Sequence, residues 1–480
     1  MSSQPSQLTV SPARALLPGR VRGNFLPAPA GESRVEVPVG AIDRVAGLLD
    51  EHGARFITLF LAGPEQNVLM AVFAFRSELV AVQSLLNGPQ AVYPSLSLGL
   101  PAAWWAEREL RDRFGVQPLG HPDPEPILAP DLDRLRVRAR GDDLFVLPHG
   151  PVRSGVFEAI QFVIVTGGED VTTIEVRPFF KHRGLEQRFE GVSLAHGAVL
   201  AERVAGIASV AHATAFAQAT ERALGVEPPR AAMLWRVVLA ELERIANHLD
   251  VAARLAEDAA LTVGNARFTI LKEDILRLNA TLTGTRFSRG MVVPGGIADQ
   301  PRLSLDDLRT ALDRFERELA RDQRLLLATT SLTDRLIGSG QLDRDTVERH
   351  GGVGPVARAS AVSADARFER PYGAYPRLGF TVAIRDSGDA MARLEVRFEE
   401  IADSLCTCCG KRSTRCAEPT IGSVSRLPGA TAPRSAGPRR RRASSSTGSR
   451  SRARRCNGCG SLPRRTATGR CSRTASAAMC

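Results

Sequence analysis

All eight cysteines of this 480-residue chain lie beyond Leu405, at positions 406, 408, 409, 416, 456, 459, 471 and 480. The body before them has no thiol. It cannot be held by disulfides, and it cannot bind a metal through cysteine. It must instead bury an apolar core, and it is long enough to do so in two or three domains.

The charge is divided at the same place. The whole chain carries +11, with 17 Lys and Arg and one acid between Leu405 and Cys480. That stretch holds +16, which leaves −5 for the rest. A basic composition suggests nucleic acid or an anionic surface. Here that property belongs to the tail and not to the body, and no specific nucleic-acid partner is expected. Three Trp and three Tyr also leave few platforms for stacked bases.

The tail has no hydrophobic period and is rich in Ser, Pro, Gly and Arg, so residues 406–480 are expected to be disordered. Cys456 and Cys459 have ligand spacing, but they sit in that Arg/Ser run without a nearby His or acid. DNA rich in G and C yields such a composition when read out of frame. A shift of frame near Leu405 is therefore expected. Residues 1–34 lack an apolar core of the secretory kind and are read as a disordered start. No window offers the roughly 18 apolar residues of a spanning helix.

Between the ends the pattern is α+β. Ala41–Gly53 has helical spacing. Gly53–Gly63 and Asn67–Phe75 predict two strands around a turn, and Ser77–Gly88 predicts a short helix with Ser at its start and Gly after it. Trp104–Leu128 is a charged helix followed by a Pro-rich extended arm. These elements form a small α/β domain over 35–140. In 141–405, Gln161–Gly168 and Val171–Phe180 predict a β-hairpin, and the chain is largely helical from Leu194. Leu234–Asp258 places Leu234, Val238, Leu242, Ile245 and Leu249 on one stripe, with Glu241, Arg244 and His248 on a charged surface face. Leu303–Leu327 opens with Ser304 and early acids, both helix-start signals. Met391–Leu405 starts another helix that is cut without a cap.

One run, ERVAGIASVAH (Glu202–His212), has the spacing of a metal motif without its ligands. Glu202, Ala205, Ala208 and His212 share a face if the segment is helical throughout. His212 there is either a proton or ligand contact, or a buried structural histidine. His149 sits in a turn between Pro148 and Gly150, where loop residues often meet ligands. Arg153 can bond an anionic or carbonyl oxygen. Lys181, His182, Arg183 and Glu186 form a charged cluster after a strand. Arg358, Asp365 and Arg367 are explained by buried ion pairs as well as by chemistry.

Several stretches together resemble one family. WAERELRDRFGVQPLGHPDPEPIL resembles the C subunit of bacterial NADH–quinone oxidoreductase. LPHGPVRSG, KHRGLEQRFEG, ELERIANHL, TGTRFSRGMVVPGG and GGVGPVARASAVSADARFERPYGAY resemble its D subunit. The two fused in one chain, over roughly residues 35–405, are similar to the large subunit of formate hydrogenlyase, a membrane-bound nickel–iron hydrogenase. The resemblance implies a hydrogenase-large-subunit-like helical domain. It also implies an iron–sulfur small subunit and membrane subunits as partners, and a peripheral place on the cytoplasmic side of the cell membrane.

That family's opening ligand motif is Arg-x-Cys-Gly-x-Cys-x-x-x-His. Its cysteines match Ala205 and Ala208, while Arg203, Gly206 and His212 are retained. Nickel–iron centres want four thiolates, so no metal is assigned to this chain. The quinone-reducing relatives also lack those cysteines and have a Tyr where Gly206 stands. His149 matches a histidine of their quinone-site loop. Arg203 matches an arginine near a partner's iron–sulfur cluster.

The residues and the resemblance together make His149, His212 and Glu202 candidates for proton or acceptor chemistry. For cofactor contacts the resemblance points to His149 and Arg203, and residue type and placement add Arg153, His182 and Arg183. NADH would react at another subunit, since no glycine-rich dinucleotide loop follows a strand here. Two readings stay open: an electron-transfer subunit passing electrons to a quinone-like or other acceptor, and a non-catalytic or degenerate assembly subunit.

Overall fold

Val68–Phe75 buries every second residue, the period of a strand with one face on a core. In the computed structural model it lies inside a five-stranded sheet. The structure describes residues 12–17, 23–28, 31–63, 67–88, 90–123, 125–128, 143–152 and 159–410. Arg153, the Cys456–Cys459 pair and residues 411–480 of the tail expected to be disordered lie outside the described residues; residues 406–410 are described and continue a helix.

The first module runs α1 (Pro12–Leu16), β1 (Asn24–Leu26), β2 (Glu32–Glu36), α2 (Ile42–Glu51), β3 (Arg55–Ala62), β4 (Val68–Phe75) and β5 (Glu78–Leu85). The sheet order is β1-β2-β5-β4-β3. α2 buries Ile42, Val45, Ala46 and Leu49, one helical stripe, in the core under that sheet. Two expectations are corrected here. The segment read as a helix over Ser77–Gly88 is β5, paired antiparallel with β4 and parallel with β2. Its Ser and Gly mimic caps, but Val80 and Val82 alternate into the core, and the ladder partners decide. The start read as disordered contains α1 and supplies β1 and most of β2.

β6 (Val92–Pro94) and β7 (Gln117–Leu119) pair in parallel on either side of α3 (Trp104–Phe114). The charges of α3 fasten the Pro-rich arm. The Asp112 carboxylate accepts from Ile127 N at 2.6 Å and Leu128 N at 2.8 Å, and Arg108 donates to Glu125 O at 2.8 Å. Fully buried Glu107 accepts from Ser95 Oγ at 2.7 Å and Leu96 N at 2.8 Å.

The second module opens on β8 (Phe145–His149), β9 (Gln161–Thr166) and β10 (Val171–Arg177), in the order β10-β9-β8. The expected hairpin thus gains a third strand, which carries His149 at its end. Gly150 follows with φ +86°, and a Cβ there would stand 2.5 Å from Ile160 O, so only glycine fits.

The chain then becomes helical: α4 (Leu185–Phe189), α5 (Leu194–Ala201), α6 (Ser209–Leu224), α7 (Arg230–Asp258) and α8 (Thr262–Thr283). A two-residue ribbon, β11 (Val292–Val293) and β12 (Gly296–Ile297), precedes α9 (Leu305–Leu327). Four short helices follow, α10 (Thr330–Leu336), α11 (Arg344–Arg349), α12 (Gly354–Ala359) and α13 (Ala366–Glu369), and α14 (Ala390–Cys409) is the last described element.

Leu242, Ile245 and Leu249 of α7 are fully buried among Phe268 and Leu271 of α8, Leu308 and Leu312 of α9, and Leu394 and Ile401 of α14. Each such side chain contributes about 1.5–3 kcal/mol by leaving water. Leu234, at the start of the predicted stripe, is instead exposed. Ser304 caps α9 as expected, accepting from Asp307 N at 3.1 Å.

α14 is not cut at Leu405. Asp389 caps its start by accepting from Ala392 N at 2.8 Å, and Gly410 closes its end with φ +67°. Leu405, Cys406, Cys408 and Cys409 are buried along its last turn. No helix among the described residues is long and apolar enough to cross a membrane.

Candidate functional site: a clamped turn between α5 and α6

α5 ends at Ala201 and α6 starts at Ser209, so Glu202–Ala208 is a turn and not a continuous helix. The expected single face of Glu202, Ala205, Ala208 and His212 is therefore broken. The cause is tertiary. Buried Glu202 turns aside and accepts from Gly290 N at 2.5 Å. Asn247 of α7 donates to Ile207 O at 2.8 Å. Arg183 donates to Arg203 O at 3.0 Å and Val204 O at 2.5 Å. Arg289 donates to Ser209 Oγ at 3.3 Å.

The fifth fastening is the most consequential. Ala208 stands at the N-cap of α6 and offers no side-chain acceptor. Glu243 of α7 takes that role from outside the helix, accepting from Val210 N at 2.7 Å and Ala211 N at 3.0 Å. Burial raises its carboxyl pKa to about 7, although both backbone donors and Arg244 favour the anion. Sequence reasoning missed Glu243. Its only signal was an extra acid beside Glu241 in ELERIANHL.

Glu243→Gln is expected to leave one of the two amides facing an NH2 group. Amide hydrogen exchange at Val210 and Ala211 should then speed up by about tenfold, the effect of one hydrogen bond to a charged group. Unchanged protection would show that Glu243 does not hold the turn.

The remaining candidates divide between this turn and other places. His212 lies in the first turn of α6, half-buried, and burial lowers its pKa. Arg203 is exposed and donates to Val199 O at 2.8 Å. Arg183 joins the turn, as described. His182 instead faces α3, 3.1 Å from Glu109 Oε1. His149 is exposed at the end of β8 with its ring 6.4 Å from Phe162. Among the described residues no hydrogen bond, ion pair or ring contact joins His149 to Glu202, Arg203 or His212.

Among the described residues, one group of carboxylate and imidazole atoms, Glu109, His182 and Glu186, is close enough to hold an ion. Arg113 already pairs with both carboxylates, at 3.0 and 3.5 Å, so the group reads as a charged joint between the modules. A nickel–iron centre does not fit the clamped turn. No residue of Glu202–His212 is a cysteine, and Ala205 and Ala208 have no lone pair to give. Cys408 is packed in the core, 3.8 Å from Val238 O, where burial pushes its thiol pKa well up.

Glu241, Arg244 and His248, expected on a helix surface, are in fact part of an interior network, with Glu241 fully buried. Glu241 accepts from Tyr375 Oη and Ser404 Oγ, both at 2.5 Å, and from Arg244 Nε at 3.1 Å. Arg367 bridges it to Asp365, and Arg358 links Asp365 to Glu400 at 3.6 and 2.5 Å. Glu400 holds His248 at 2.8 Å. The expected buried ion pairs of Arg358, Asp365 and Arg367 are thus present, and they extend across α7, the 358–367 segment and α14.

A small α/β module fused to a helical module whose first helices frame a clamped turn defines the class: a two-module chain, each module with its own counterpart among known proteins. Residues 35–134 match the family described as respiratory-chain NADH dehydrogenase, 30 Kd subunit. Residues 260–411 match respiratory-chain NADH dehydrogenase, 49 Kd subunit. The chain is 30% identical over 358 residues to formate hydrogenlyase subunit 5 of Escherichia coli, covering 68% of this chain and 62% of that one. It is 31% identical over 265 residues to the carbon monoxide-induced hydrogenase of Rhodospirillum rubrum, 54% of this chain and 73% of that one. It is 30% identical over 276 residues to a D-type NADH-quinone oxidoreductase subunit of Rhizobium etli, 57% of this chain and 68% of that one. The chain belongs to the family of the 49 Kd subunit of respiratory-chain NADH dehydrogenase and the hydrogenase large subunits related to it. It spans under two thirds of the length of the formate hydrogenlyase subunit.

Proposed function

We propose that this chain is an electron-transfer subunit of a multi-subunit oxidoreductase on the cytoplasmic side of a membrane. It frames the space between a partner's iron–sulfur cluster and a quinone-like or other acceptor. The observation that carries this reading is the clamped turn: five separate side chains hold Glu202–Ala211 in place although no thiolate is left to anchor a metal. Arg203 puts an exposed positive charge at its lip, where electron density would arrive. His212, kept neutral at physiological pH by its lowered pKa, can take a proton from solvent or give one as imidazolium to a reduced acceptor. His149 would complete the acceptor's surroundings from the β8 side. Gly206 leaves open space, with a Cβ no nearer than 3.8 Å to Arg289 Nη2. Hydrogen activation is not part of this reading, because the thiols it needs are absent.

A second reading is favoured by one specific observation, the alanines at both thiol positions: a chain retained for assembly alone. The two separate in one experiment. The full chain is purified with its iron–sulfur and membrane partners, and a quinone analogue is titrated while the partner's cluster is followed by electron paramagnetic resonance. The electron-transfer reading expects saturable binding and oxidation of the cluster, both weakened by His212→Ala. An intact assembly with neither binding nor turnover would establish the structural reading.

A further inference from the structure

α7 and α8 are joined by residues 259–261 and pack antiparallel along their length. An ion pair of 2.8 Å between Asp250 and Lys272 fixes their register. Seven residues make close to two turns of helix. One such step back from Asp250 reaches Glu243, and one forward from Lys272 reaches Asn279, so these two also face each other across the helix pair. Both line the small apolar cavity behind the clamped turn, with Ile207, Val210 and Phe287. Asn279 is 3% exposed, and its Oδ1 is buried without a hydrogen-bond partner. Its amide nitrogen donates to Arg286 O at 3.3 Å, which marks the oxygen as the open end. A buried acceptor without a donor costs free energy. The side chain opposite it is a carboxyl whose pKa burial raises to about 7.

We propose that Glu243 is a proton-operated latch on the clamped turn, with Asn279 as the partner of its protonated form. As a carboxylate it accepts from Val210 N and Ala211 N and holds the start of α6. As the neutral acid it turns its O–H to Asn279 Oδ1 and keeps one carbonyl oxygen for the two amides. One amide is then released, and the turn that carries Arg203 is held less firmly. The proton comes from solvent and returns to it. Each form satisfies groups that the other leaves open, so the two lie close in free energy. The charges around the latch are few. Burial opposes the anion, while the two amides and Arg244, next on α7, favour it. Asp250 is already held by Lys272 at 2.8 Å and Arg254 at 3.2 Å. On α6, His212 stands one residue beyond Ala211, and Arg289 is engaged with Ser209 Oγ. The claim stands apart from the electron-transfer reading, since it concerns Glu243 whether or not an acceptor binds.

The test is amide hydrogen exchange of the full chain across neutral pH, each rate divided by that of the unstructured peptide at the same pH. Protection of Val210 and Ala211 in the parent should fall by about tenfold as the pH drops through neutrality, the effect of one hydrogen bond to a charged group. Glu243→Gln offers the same single carbonyl as the acid and should stay at the low level at every pH. Asn279→Ala removes the partner of the acid and should lower the midpoint by about half to one pH unit. Asn279→Leu keeps the volume and should do the same. Melting and circular dichroism check that each variant is folded. His212→Asn removes the other group that titrates nearby and should leave the midpoint in place. A flat profile in the parent, a midpoint unmoved by both Asn279 variants, or a transition that disappears with His212 overturns the proposal.

Discussion

Arg367→Met is expected to destabilise the helical module by about 3–5 kcal/mol, the usual cost of removing one partner from a buried ion network. The guanidinium is 3% exposed. It donates to both oxygens of Asp365, at 3.1 and 2.8 Å, and to Glu241 Oε1 at 3.3 Å. It also lies 4.6 Å above the Phe380 ring. Methionine replaces the stem but not the charge. Glu241, fully buried, would keep Arg244, Tyr375 and Ser404, while Asp365 would keep only Arg358 as a cation. Two carboxylates would then share too little positive charge in a dry interior. Domain stability is about 5–15 kcal/mol, so the loss is a large part of the whole. Urea unfolding followed by far-UV circular dichroism reads it directly. A change under about 1 kcal/mol, the range of ordinary substitutions, would mean the network is not a principal support.

Acid should weaken the same region from its other end. Burial lowers the His248 pKa to about 4, against the pull of Glu400. Glu400 is itself held at about 2, burial being outweighed by its bond to His248 and the charges of Arg358 and Arg244. Both folded values lie below the unfolded ones, near 6.5 and 4.5. The unfolded chain therefore binds more protons across this range. Stability from the imidazole is complete above about pH 6.5 and falls as pH drops toward 4; that from the carboxylate is complete above about 4.5 and falls toward 2. The two groups touch, so they titrate as a pair. The loss between pH 7 and 4 is expected to be about 3 kcal/mol. His248→Gln should flatten the upper part of that slope. A denaturation midpoint constant over this range in the parent chain would refute the assignment.

Much of this was legible in the residues, for reasons that differ by element. α2, α7 and α9 announced themselves because their apolar spacing and end residues agree. β4 did so as a short, continuously apolar run between turn residues. Ser77–Gly88 misled because a buried strand with polar ends and a short helix share the same composition; only pairing with β2 and β4 decides between them. Glu202–His212 misled for a related reason. Its helix propensity is sound, and the break comes from Asn247, Gly290 and Glu243, which are distant in sequence. The charged face of α7 was read as solvated because nothing local shows that α14 and the 358–367 segment supply its partners. Arg183 was placed correctly among candidates, yet its neighbour His182 belongs to a different contact altogether.

The seam between the modules has a further consequence. Glu109–His182, Arg113–Glu186, Arg222–Glu32 and Arg55–Glu369 cross it, all at partly exposed positions. Such pairs are worth little one at a time and are screened by salt. That is the chemistry of a surface where separate polypeptides meet, and two separate subunit families are what the modules match. Joining them in one chain changes the arithmetic of their encounter. Docking becomes intramolecular, at an effective concentration on the order of millimolar for a short tether. Weak contacts then suffice, and the seam is free to drift in sequence without the modules coming apart.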